Sequence, residues 1–132
     1  MTAEVLADYS VSVAPDGGFV YYLSRASARN AAEMAQRLRA ATGLGEKHGL
    51  SRIMFDARGA SFQLGLTAQY NYAYHEAAQL GLTRSWRVAI LVSPGERSYD
   101  FIETALINAG YNARLFTAYD QARAWLSSHP HA

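Results

Sequence analysis

Asp56 and Arg58 close the stretch Arg52-Ile53-Met54-Phe55-Asp56-Ala57-Arg58-Gly59, an apolar strand-like run that ends in an acid, a base and a glycine. Two residues apart in an extended chain, their side chains point the same way. Such a pair can offer a carboxylate and a bidentate guanidinium to a ligand, or it can form an ion pair that is merely structural. Its place matters because open α/β sheets bind ligands beyond the carboxyl ends of their strands. A second polar stretch, Ser93-Pro94-Gly95-Glu96-Arg97-Ser98, follows the apolar run Val88 to Val92. There Ser93 and Arg97 precede a predicted helix whose first amides can hold an anion. No glycine-rich nucleotide loop is present, so a plain strand-to-helix turn is the competing reading.

The loop Ser61-Phe62-Gln63-Leu64-Gly65-Leu66 carries three large apolar residues outside regular structure. Phe62, Leu64 and Leu66 can line a pocket for an apolar ligand, form a subunit contact, or fold back as satellite core. Tyr70, Tyr72 and Tyr74 follow. Tyr70 and Tyr74 share a helical face, while Tyr72 is rotated away from them, so one contact cannot bury all three. A phenol among them can reach a partner chain or a cavity through its hydroxyl.

Other chemistries find little support. His48, His75, His129 and His131 form no three-ligand metal pattern, and adjacent His75-Glu76 does not project from one helical face. The chain has no cysteine, which excludes disulfides, thiolate catalysis and cysteine metal sites. No Gly-x-Ser-x-Gly elbow marks a serine nucleophile. No cofactor is implied. A net charge of +1, with eleven arginines and one lysine set against eleven acids, forms no basic stripe for nucleic acid. No apolar run approaches a membrane span and the N-terminus lacks a signal-peptide pattern, so a cytoplasmic protein is expected.

At 132 residues, 50% of them hydrophobic and 17% charged, the chain suits one domain. Alternating Tyr9, Val11 and Val13, the turn Pro15-Asp16-Gly17-Gly18, and Phe19 to Leu23 predict a β-hairpin. From Ser27 the period becomes helical: Ala31, Met34, Ala35, Leu38 and Ala41 share a face opposite Arg29, Glu33 and Arg37. Gly43, Gly45 and Gly49 are expected to end this helix before the strand Arg52 to Asp56. A second helix is expected from a Thr67 cap to Gly81, with Tyr70, Ala73, Tyr74, Ala77 and Leu80 inward. Val88 to Val92 reads as a strand covered on both faces. Ser98 then caps a third helix with Phe101, Ile102, Ala105, Leu106 and Ala109 inward. Ala113 to Phe116 is the last strand, and Thr117 with Asp120 resembles a capping box for a final helix. The order β-β-α-β-α-β-α-β-α implies an α/β fold: an N-terminal hairpin joined to a mostly parallel sheet with helical cover. Residues 1–7 and 127–132 read as frayed ends.

This order resembles the STAS-like domains, the class of bacterial anti-sigma-factor antagonists, and especially their SpoIIAA-like branch related to lipid-binding Sec14-type domains. The resemblance runs through nearly the whole chain. It rests on Ile53 to Gly59, on Arg87 to Val92, on Tyr99-Asp100-Phe101-Ile102-Glu103-Thr104, and on Arg114 to Thr117 followed by Ala122 to Leu126. In the signalling antagonists the third strand leads into Asp-Ser-Ser/Thr-Gly, whose first serine is phosphorylated. Here Asp56 and Gly59 keep the frame while Ala57 and Arg58 stand at the hydroxyl positions, which leaves Ser61 as the nearby hydroxyl for phosphorylation. The resemblance implies a single non-enzymatic STAS-like domain over residues 1–132, acting as a regulatory or protein-interaction module and self-associating as a dimer. The alternative is a binder of a small apolar ligand or lipid, walled by Phe62, Leu64, Leu66 and the tyrosine helix. A third reading, an enzyme, would use Asp56 as general base or Arg58 as an oxyanion anchor.

Overall fold

Five short strands, β1 (Tyr9–Val13), β2 (Val20–Ser24), β3 (Arg52–Asp56), β4 (Arg87–Leu91) and β5 (Asn112–Phe116), form one sheet in the order β1-β2-β3-β4-β5. A computed structural model describes residues 8–16 and 18–128 of the chain. Of the expected frayed ends 1–7 and 127–132, residues 1–7 and 129–132, with His129 and His131, lie outside the described residues, as does Gly17 of the hairpin turn; Ser127, expected to be frayed, is instead the last residue of a helix. The hairpin β1–β2 is antiparallel and every later pairing is parallel. The α/β class and the mostly parallel sheet are thus as expected. Among the described residues no helix is long and apolar enough to cross a membrane.

Parallel strands laid down in chain order, with crossovers of one hand, bring successive connections onto the same face. Helices α1 (Ala31–His48), α2 (Leu66–Asn71) and α3 (Asp100–Asn108) occupy these connections, and α4 (Tyr119–Ser127) follows β5. The period of two along each strand then sorts the core into two layers. Tyr22, Ile53, Val88 and Ile90 pack with Leu38 and Ala41 of α1 and Ile102 and Leu106 of α3. On the other face, Met54, Ala89 and Leu91 pack with Ala122 and Leu126 of α4. Because the strand order never reverses, the sheet has no switch-point crevice of the doubly wound kind.

Helix α1 differs from expectation in three ways. It starts at Asn30, not Ser27: Asn30 Oδ1 accepts from Glu33 N–H at 2.9 Å, and Glu33 Oε1 accepts from Arg29 N–H at 3.0 Å. It also runs through Gly43 and Gly45 and ends only at Gly49, where φ is 69°. Gly45 is needed for close approach. A Cβ there would press into the Trp86 ring and lie 2.8 Å from Leu50 O, whereas a Cβ at Gly43 meets nothing within 4 Å. Finally, Arg37 is buried, not solvent-facing. The glycine contrast gives paired expectations. Gly43→Ala gains up to about 1 kcal/mol of helix propensity. Gly45→Ala loses about 1 kcal/mol or more, since overpacking outweighs that gain. Urea unfolding of the two variants checks the opposite signs.

The second helix departs further. Gly65, not Thr67, precedes α2, and no side chain caps it. After Asn71 the helix widens into a π-helical turn over Tyr72–Glu76, closed by Ala77 N–H donating to Tyr72 O at 2.8 Å. The extra residue in that turn shifts the inward face. Tyr72, Ala73 and Ala77 are buried, while Tyr70 and Tyr74 stand outside and stack on each other at 4.5 Å. Ser98 does not cap α3; Tyr99 precedes it, and Phe101 is exposed while Ile102, Ala105, Leu106 and Ala109 turn inward. Likewise Ala118 precedes α4, with no capping bond from Thr117.

Candidate functional site

The same period of two separates residues that are adjacent in sequence. Asp56, like Met54, projects to the α4 side of the sheet, while Phe55 projects to the side of α1 and α3. Asp56 is 1% exposed. Its carboxylate accepts from Arg58 Nε at 3.0 Å, Arg58 Nη2 at 2.8 Å, Arg58 N–H at 3.2 Å and the Tyr21 hydroxyl. Burial pushes the Asp56 pKa up, but the hydrogen bonds from Arg58 and Tyr21 more than offset it and hold the group below its usual value. Tyr21 is pushed up to about 12 by burial and by the neighbouring carboxylate. The predicted pairing of Asp56 with Arg58 therefore forms. Both carboxylate oxygens are engaged within the chain.

Ser93 and Arg97 do not converge on an anion site. Ser93 Oγ accepts from Gly59 N–H at 2.9 Å, tying the loop after β4 to the loop after β3. Arg97 pairs with Asp100 at 2.6 Å on the open surface. Ser61 offers its carbonyl to the Ser27 hydroxyl, which links its loop to the one after β2. Among the described residues, no three His, Asp or Glu side chains are grouped to hold a metal ion.

On the opposite face of the sheet lies a cavity of about 70 Å³. Its floor is Ile53, Phe55, Val88 and Ile90; Leu38, Leu82, Ile102 and Leu106 form the sides. Of the residues singled out from sequence, Phe62 and Tyr72 line it, and Leu64, Leu66, Tyr70 and Tyr74 do not. Leu66, 63% exposed, lies with Tyr70 and Tyr74 on the outer surface. Gln69 fixes the loop by donating from Nε2 to Leu64 O at 2.7 Å, and Phe62 N–H donates to Ser98 Oγ at 2.7 Å. Phe62 thereby lies flat on Tyr99, with ring centroids 5.1 Å apart and 2° between planes. Tyr99 also meets Phe55 edge-on at 5.8 Å.

The polar members of the wall belong to no motif in the sequence. Ser24, Ser27, Arg37, Tyr22 and Tyr99 gather where strands β2 and β4 deliver their carboxyl ends. Lining residues that keep partial exposure, Ser27, Met34, Phe55 and Phe62, lie at this edge too. Arg37 Nη1 donates to Ala26 O at 2.7 Å and to Ser24 Oγ at 3.5 Å, and its guanidinium lies 5.0 Å from the Tyr9 ring centroid. Burial pushes Tyr22 up to about 12, partly opposed by Arg37, and also raises Tyr99 and Tyr72. All three phenols therefore keep their protons at neutral pH. The signal for Arg37 was its spacing: with Ala41 and Gly45 it falls at i, i+4 and i+8 on the buried stripe of α1.

A scan of the chain against protein-family models finds no match, and no curated protein matches it.

Proposed function

We propose that this domain is a non-enzymatic binder of a small, largely apolar molecule, held in the cavity between the sheet and helices α1 and α3. The observation that carries the reading is the cavity itself, about 70 Å³ of space walled by apolar side chains. It has a few polar groups at one edge, the usual make-up of a small-molecule site. Well-packed interiors leave few voids larger than a water molecule. The volume suits a short chain rather than a ring or a whole membrane lipid. The Asp56–Arg58 pair supports this division of labour, since both oxygens of the buried Asp56 carboxylate are engaged within the chain. A STAS-like identity belongs to the same proposal, supported by the hairpin and the βα units wound in one direction, and a cytoplasmic location is proposed with it.

Native mass spectrometry of gently purified protein tests the proposal. A reproducible excess mass per chain, reduced by a cavity-filling Leu106→Trp substitution, is expected. Protein that gains no mass even after incubation with short-chain alcohols would contradict it.

A second reading, self-association, is favoured by a specific observation. Leu66, Tyr70 and Tyr74, spaced four apart, form one exposed apolar stripe. Sedimentation equilibrium of Tyr70→Glu against the parent chain decides it. Loss of dimer mass supports the stripe as the contact, and a monomer in both removes it.

A further inference from the structure

Arg37 is 4% exposed and reaches the wall of a mostly apolar cavity. None of its nitrogens is a buried atom left without a hydrogen-bond partner, so the guanidinium is not sealed off from an incoming group. Among the described residues no carboxylate forms an ion pair with Arg37. The acid one turn earlier on α1, Glu33, is committed to Arg29 at 2.7 Å. The hydrogen bonds to Ala26 O and Ser24 Oγ both come from Nη1. Ser24 and Ser27 in turn donate to the carbonyls of Ala26 and Ser61, so neither serine proton is left for an incoming group. Charge recognition at this edge falls to the guanidinium, with the phenols of Tyr22 and Tyr99 in the same wall.

Resting on the reading of the cavity as a ligand site, we infer that its occupant is an anionic amphiphile. A carboxylate pairs with Arg37 at the carboxyl edge of the sheet, and a short apolar tail lies over Ile53 and Ile90 toward Leu106. A guanidinium matches the two oxygens of a carboxylate through paired N–H donors. One cation and about 70 Å³ of space favour a single-charge head and a short tail over a phospholipid.

Isothermal titration of the full chain with butyrate, hexanoate and octanoate, each beside the alcohol of equal chain length, tests this inference. The best-fitting carboxylate is expected to bind tighter than its alcohol on the order of tenfold to a hundredfold. Arg37→Gln is expected to abolish that difference while leaving alcohol binding intact. The comparison on the parent chain stands alone if Arg37→Gln does not fold. Alcohols binding as well as or better than carboxylates would overturn the anionic head and leave the apolar pocket standing. Failure of both series to bind would overturn the pocket reading as well.

Discussion

Tyr99→Ala is expected to destabilise the protein by about 3 to 5 kcal/mol, the range for removing a buried aromatic ring. For a chain of this size that corresponds to a fall in Tm of roughly 10 to 20 °C. Tyr99 is 2% exposed and joins two elements of the cavity wall through its contacts with Phe55 and Phe62. Its removal takes the support from under the Phe62 loop and merges the vacated space with the cavity. Tyr99→Phe keeps the ring and is expected to cost less than about 1.5 kcal/mol. Added p-cresol, which has the shape of the lost side chain, is expected to restore part of the stability of Tyr99→Ala in proportion to its occupancy. Thermal unfolding of the three proteins, with and without p-cresol, checks this. A loss below about 1.5 kcal/mol for the alanine variant would mean that the aromatic stack does not hold the wall.

Asp56→Ala is expected to cost about 2 to 3 kcal/mol at neutral pH. Removing one partner of a buried ion pair costs more when the other charge stays buried. Here the Arg58 side chain is 46% exposed and can turn to water, which reduces the penalty. What remains is the loss of three hydrogen bonds from Arg58 and one from Tyr21. The pH dependence follows from the lowered pKa of Asp56. A carboxyl with a folded-state pKa below its unfolded value contributes stability above the unfolded pKa, near 3.9. That contribution disappears as pH falls through the folded value. The parent chain is therefore expected to lose stability more steeply than Asp56→Ala below about pH 4. Parallel curves in acid would show that the carboxyl is not held down by Arg58 and Tyr21.

Much of the fold was legible because strands announce themselves by composition. The continuous run Val88 to Leu91 is buried throughout and lies between β3 and β5, as its apolar character requires. The pairing of Asp56 with Arg58 followed from a spacing of two. That spacing also carried a consequence easily overlooked: Phe55 and Asp56 must face opposite sides. The apolar loop and the charged pair thus belong to different faces, and only Phe62 of that loop's three large residues reaches the cavity. Helical period misled where the helix was irregular. One π-helical turn moved Tyr72 inward and left Tyr70 and Tyr74 outside, and no local feature of Tyr72–Glu76 announces that turn. Glycine composition suggested an early stop to α1, yet Gly45 sits inside the helix because Trp86 packs against it. Residue type alone places Arg37 on the polar face, whereas its position on the stripe with Ala41 and Gly45 governs its burial.

The central claim, occupancy of the cavity on one face of the sheet, is tested most directly by methyl NMR during titration with hexanol and with hexanoate. Shifts are expected at Ile53, Ile90, Ile102 and Leu106, which line the cavity. Met54, Leu91 and Leu126, packed on the opposite face, are expected to stay in place. Saturable shifts confined to the first group would support a ligand site between the sheet and α1 and α3. No shifts with either compound at concentrations that saturate small apolar sites, or shifts only around Met54 and Leu126, would contradict it.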